Sequence, residues 1–117
     1  MTYSRNTNRA IRAYGREACI RAAQMNEAGE GPSSIAFQGP TSIKTTNQAD
    51  AAINAGREII AADLIAKTRE IVGEPMFAQM RAIATENGWD DTRFARELKV
   101  AVIGVARERG LSNAEAR

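Results

Sequence analysis

An all-α fold is predicted by three features of this sequence. Apolar residues recur at three- and four-residue spacing over long stretches, no stretch has the alternation of a half-buried strand, and glycines and prolines gather between the periodic stretches. The 117 residues, 44% apolar and 26% charged, suit one domain with a core of its own. The expectation is a single helical domain over 1–117, with four main helices and an irregular Gly-Pro segment at 29–46.

The first helix is expected over residues 5–28. Ile11, Tyr14, Ala18, Ala22 and Met25 fall on one face, and Arg5, Arg9, Arg12 and Arg16 fall together on the opposite one. Gly29 and Gly31 supply the stop, since glycine accepts the left-handed conformation that ends a helix. An echo follows: Gly31-Pro32-Ser33-Ser34-Ile35, then Gly39-Pro40-Thr41-Ser42-Ile43. Each Gly-Pro step reads as a turn, and each isoleucine as an anchor holding a short extended piece to the core. A connection this long is a loop with a function or one that orders only in part.

The second helix is expected from Asn47, with Asp50 completing a capping box, to Val72. Ile53, Ile60, Leu64 and Ile71 make one apolar face, while Ile59, Ile65 and Val72 occupy others, so this helix needs cover on more than one side. Ala51, Ala52, Ala55 and Gly56 would admit a partner backbone, which the other three helices of a monomer could supply and a homodimer or larger oligomer built through the second and fourth helices would supply more easily. Gly73-Glu74-Pro75 separates it from a third helix, residues 75–86, with Phe77, Met80, Ile83 and Ala84 inward and Gly88 just past its end. Asp90 caps the fourth, Trp89 and Phe94 form its hydrophobic staple, and Phe94, Leu98, Ala101, Val102 and Val105 form its core face as far as Gly110. Ser112 and Glu115 have the spacing of one further capping box.

Several classes of function are disfavoured. The longest apolar run, Val100–Ala106, is far short of the roughly 20 residues that span a bilayer, so no membrane partner is expected. The first residues carry no secretory pattern, and the expected location is cytoplasmic. One cysteine and no histidine remove an intrachain disulfide, the commonest zinc ligand and the commonest general base. Cys19 has no base to activate it, Asp90 and Asp91 are explained by a helix start, and neither a phosphate-cradling Gly-x-x-x-x-Gly-Lys loop nor metal-ligand spacing is present. The chain reads as non-catalytic, without cofactor or metal.

Charge is distributed unevenly. Residues 1–21 hold Arg5, Arg9, Arg12, Arg16 and Arg21 against Glu17 alone. Four guanidinium groups along about 17 Å of one helix face suit a phosphodiester backbone, with Tyr3, Asn6 and Asn8 adding hydrogen bonds near its start. The bland alternative is a solvated face, but such a face ordinarily mixes signs. On the fourth helix, Val100 and Ile103 lie between Arg93, Arg96 and Arg107, away from the core face. Apolar residues bordered by arginines suit a protein interface, unless they pack on Ile35, Phe37 or Ile43.

Two stretches are similar to a helix-turn-helix motif: Ile83-Ala84 through Gly88 to Phe94, and Phe94 through Val105, in frames that exclude one another. The expected function is that of a self-associating nucleic-acid-binding protein, of architectural, regulatory or coat type. A helical adaptor or inhibitor docking on an acidic protein surface is the rival reading.

Overall fold

A computed structural model of the chain describes the backbone of residues 3–108 and the side chains of residues 3–100. Among these the structure is helical throughout: α1 Arg5–Tyr14, α2 Arg16–Glu27, α3 Pro32–Gln38, α4 Thr46–Val72, α5 Glu74–Glu86 and α6 Asp91–Glu108. Six helices replace the expected four, for two local reasons. Gly15, at φ +96°, ends α1 and begins α2, so the first predicted helix is two. Residues 29–46 are not a plain loop, because Pro32 at the first helical position starts α3.

The two halves of the Gly-Pro echo therefore fold differently. The first becomes a helix; the second becomes a turn in which Ile43 N donates to Pro40 O at 3.1 Å. Both isoleucines are anchors as expected, with Ile35 and Ile43 fully buried. Helix ends follow the glycines. Gly29 (φ +105°) closes α2 in a Schellman arrangement, in which Glu30 N donates to Met25 O and Gly29 N to Asn26 O, both at 3.0 Å. Gly88 (φ +68°) closes α5 in the same way, through Trp89 N to Ala84 O and Gly88 N to Thr85 O.

The long helix is capped by Thr45, and not by an Asn47/Asp50 capping box. Gln48 N donates to Thr45 Oγ1 at 3.1 Å, and Gln48 Oε1 accepts from Lys44 N at 2.8 Å. A threonine two residues earlier satisfies the orphan amides first. Asp90 caps α6 as expected, accepting from Arg93 N at 2.8 Å. Gly110, Ser112 and Glu115 lie outside the described residues.

The chain divides into two compact units, Met1–Ile60 and Ala61–Arg117, with the boundary inside α4. The core of the first is built from small residues and isoleucines: Ala10, Cys19, Ala22, Ala49, Ala52 and Ala55 with Ile35, Ile43, Ile53 and Ile59. A Cβ placed on Gly56 would lie 2.0 Å from Cys19 O and 2.7 Å from Ala23 Cβ. The close backbone approach that the alanines and Gly56 foreshadow is thus made by α2 of the same chain. The second unit is cored by Ala84, Phe94 and Leu98, with Ile65, Phe77, Met80 and Trp89 packed around them. No described helix is long and apolar enough to cross a membrane.

Candidate nucleic-acid interface

Helix α1 opens on weak helix formers, since Asn6, Thr7 and Asn8 fill its first turn ahead of Arg9 and Ala10. Its start is fixed by hydrogen bonds. Ser4 caps it, with Thr7 N donating to Ser4 Oγ at 3.3 Å, and Ser4 N and Oγ donate to the Glu58 carboxylate on α4, each at 3.0 Å. Asn8 Nδ2 donates to Tyr3 O at 3.2 Å, so one of the two asparagines expected to face a ligand is used in the fold. Burial pushes the Glu58 carboxyl up, but hydrogen bonds from Thr7 and from Ser4 outweigh it and hold the group below the ordinary glutamate range.

Thr7 and Ala10 are buried, and Arg5, Arg9 and Arg12 are exposed on the opposite side of the helix. No acid lies on α1, and among the described residues none of these three guanidinium groups has an ion-pair or hydrogen-bond partner. Arg9 borders a groove of about 510 Å³ between α1 and α4, lined also by Asn6, Asn54 and Glu58. Arg5 and Arg12 border a shallow depression with Tyr3, Asn8 and Ile11. Three of the four predicted arginines therefore share a face.

Arg16 does not continue it. As the first residue of α2, beyond the break at Gly15, it borders a separate depression with Arg21 and the turn from Gln38 to Ser42. Ser42 Oγ donates to Tyr14 O at 2.9 Å and fixes that turn to the end of α1. The grouping of Arg16 with Arg21 was missed in the sequence; a glycine in mid-helix was the available signal.

Three arginines of the second unit are used otherwise. Arg69 lies 5.4 Å from the Phe77 ring and pairs with Glu74, Nη2 to Oε2 at 2.9 Å. Arg81 lies 4.9 Å from the Phe94 ring and donates to Asp91 Oδ1 at 3.0 Å. Arg93, expected at an interface, lies 5.2 Å from the Trp89 ring. Arg96 is exposed, and Val100 is 69% exposed. Ile103 and Arg107 have side chains outside the described residues.

Continuous helix over 91–108 excludes the helix-turn-helix frame from Phe94 to Val105, which requires a turn inside α6. The frame ending at Phe94 keeps its turn at 87–90, yet Ile83, which should face inward, is half exposed. Cys19 is fully buried, and burial pushes its thiol up, away from the reactive thiolate. Among the described residues no group of three or more acidic or cysteine side chains is placed to hold a metal ion. The chain matches no protein-family model, no curated protein and no solved structure.

Proposed function

We propose that the chain is a non-catalytic nucleic-acid-binding protein that holds the phosphate backbone through Arg5, Arg9 and Arg12 of α1. One observation carries this reading: three unpartnered guanidinium groups on a helix that itself carries no acid, in a molecule whose other unit sets Arg69, Arg81 and Arg93 over aromatic rings. Exposed arginine without a counter-charge is the arrangement that gains most from releasing phosphate counterions. Arg16, with Arg21, adds charge from a second patch and not from the same stripe.

The test is titration of the protein into labelled duplex and single-stranded oligonucleotides across a salt series. Wild type binds with affinity falling steeply as salt rises, and Arg9→Glu with Arg12→Glu abolishes binding without lowering thermal stability. Retained binding in the double variant would remove α1 from the interface.

The exposure of Val100 beside Arg96 supports a second reading, a protein-binding surface on the second unit used for self-association or for an acidic partner. Light scattering of wild type and Val100→Asp separates the two uses. A mass that falls to that of one chain in the variant assigns the surface to self-association, and a monomeric wild type rejects that use.

A further inference from the structure

Phe37 is the most exposed large apolar side chain among the described residues, at 89%, although it sits two positions from a fully buried isoleucine. The segment that carries it is held firmly. Pro32 fixes the start of α3, Ile35 and Ile43 are seated in the core, and Gly39 N donates to Ile35 O at 2.8 Å. At Gly39 a Cβ would come within 2.5 Å of Ile35 O, so the chain turns there in close contact with the helix it has just left. The ring is thus presented on a braced support and contributes almost nothing to the core.

Its surroundings define the ligand. Phe37 borders a depression of about 350 Å³ with Ser33, Ala36, Lys44, Thr45 and Thr46. No second large apolar side chain lines it, so it lacks the clustered apolar centre of a protein-docking site. It offers one open aromatic face, one ammonium group without a partner among the described residues, and hydroxyl groups. That is the recognition chemistry of an unpaired nucleotide, with a base on the ring and its phosphate by the cation. The same stretch of chain, through Gln38 to Ser42, lines the depression that holds Arg16 and Arg21.

We infer that Phe37 and Lys44 form a stacking site for single-stranded nucleic acid, in which a base lies on the Phe37 ring and the adjoining phosphate meets Lys44. The inference rests on the nucleic-acid reading above and adds to it a preference for unpaired strands. Bases inside a duplex are stacked on one another and have no free face to offer, so the site discriminates by strandedness with little dependence on sequence.

The test compares a fluorescein-labelled oligo-dT 15-mer with a duplex of equal length, using wild type, Phe37→Ala, Phe37→Trp and the Arg9→Glu, Arg12→Glu double variant. Phe37→Ala is expected to weaken oligo-dT binding about tenfold, with duplex affinity and the salt slope unchanged, because stacking releases no counterions. Phe37→Trp retains the wild-type affinity. Oligo-dT binding that is indifferent to Phe37→Ala but lost in the arginine double variant overturns the stacking site and leaves the phosphate-clamp reading standing. Failure of wild type to bind either oligonucleotide at low salt overturns both.

Discussion

The two units of the chain use the same residue types to opposite ends. In the first, the core is made of alanine, cysteine, glycine and isoleucine, helices approach until backbone meets backbone at Gly56, and the arginines of α1 are left out of the packing. In the second, aromatic rings fill the core and arginines lie across their faces, with Arg81 over Phe94 and Arg93 over Trp89. An arginine over a ring is structural: its stem covers apolar surface while its charge faces the π-electrons. Arg5, Arg9 and Arg12 lie over no ring among the described residues, and the buried residues of their helix are Thr7 and Ala10. The difference teaches that a count of basic residues says little about binding until the rings and carboxylates beside each have been found.

Four substitutions would break or sharpen this contrast. The largest effect is expected at the backbone contact of the first unit: Gly56→Ala must push Cys19 O aside, and should cost about 3 kcal/mol in urea unfolding. A loss below about 1 kcal/mol would mean that α2 moves away freely and that the contact is not a constraint. Next, Arg81→Ala removes both the Phe94 stack and the Asp91 ion pair and should lower stability by about 1 kcal/mol, whereas Arg9→Ala should stay within about 0.5 kcal/mol. Equal losses in the two variants would erase the distinction between structural and unused arginines.

The smallest loss that is still expected to be measurable concerns the anchor beneath the arginine face. Glu58→Gln keeps an acceptor but loses its charge, and should cost about 0.5–1 kcal/mol near neutral pH. Because the folded carboxyl is held below its ordinary value, its contribution is present above that value and is lost as pH falls through the lower value it takes in the fold. Wild type and Glu58→Gln should therefore converge in stability in strong acid. A gap that is constant from pH 7 to pH 3 would show that charge plays no part in holding the start of α1.

Much of the helical layout was legible because it is written in local chemistry. The ends at Gly29, Gly73 and Gly88 and the cap at Asp90 all follow from residues within a few positions of one another. The arginine face was legible for the same reason, since a 3.6-residue period alone sets Arg5, Arg9 and Arg12 opposite Thr7 and Ala10. Gly15 misled because a glycine within an otherwise periodic stretch costs about 1 kcal/mol in a continuous helix yet does not by itself say whether the helix ends there. Here it takes a positive φ, so Arg16 passes to another patch.

The sequence by itself determined an all-helical chain, the sidedness of α1 and the residues able to cap and stop most helices, since each of these depends on neighbours along the chain. Only the tertiary structure decided which arginines have partners, that the small residues of α4 meet α2 of the same chain, and that Phe37 is left in solvent while Ile35 and Ile43 are taken into the core. Those outcomes depend on which distant surfaces come together, and residue spacing along one chain carries no record of a contact made across 30 positions or more.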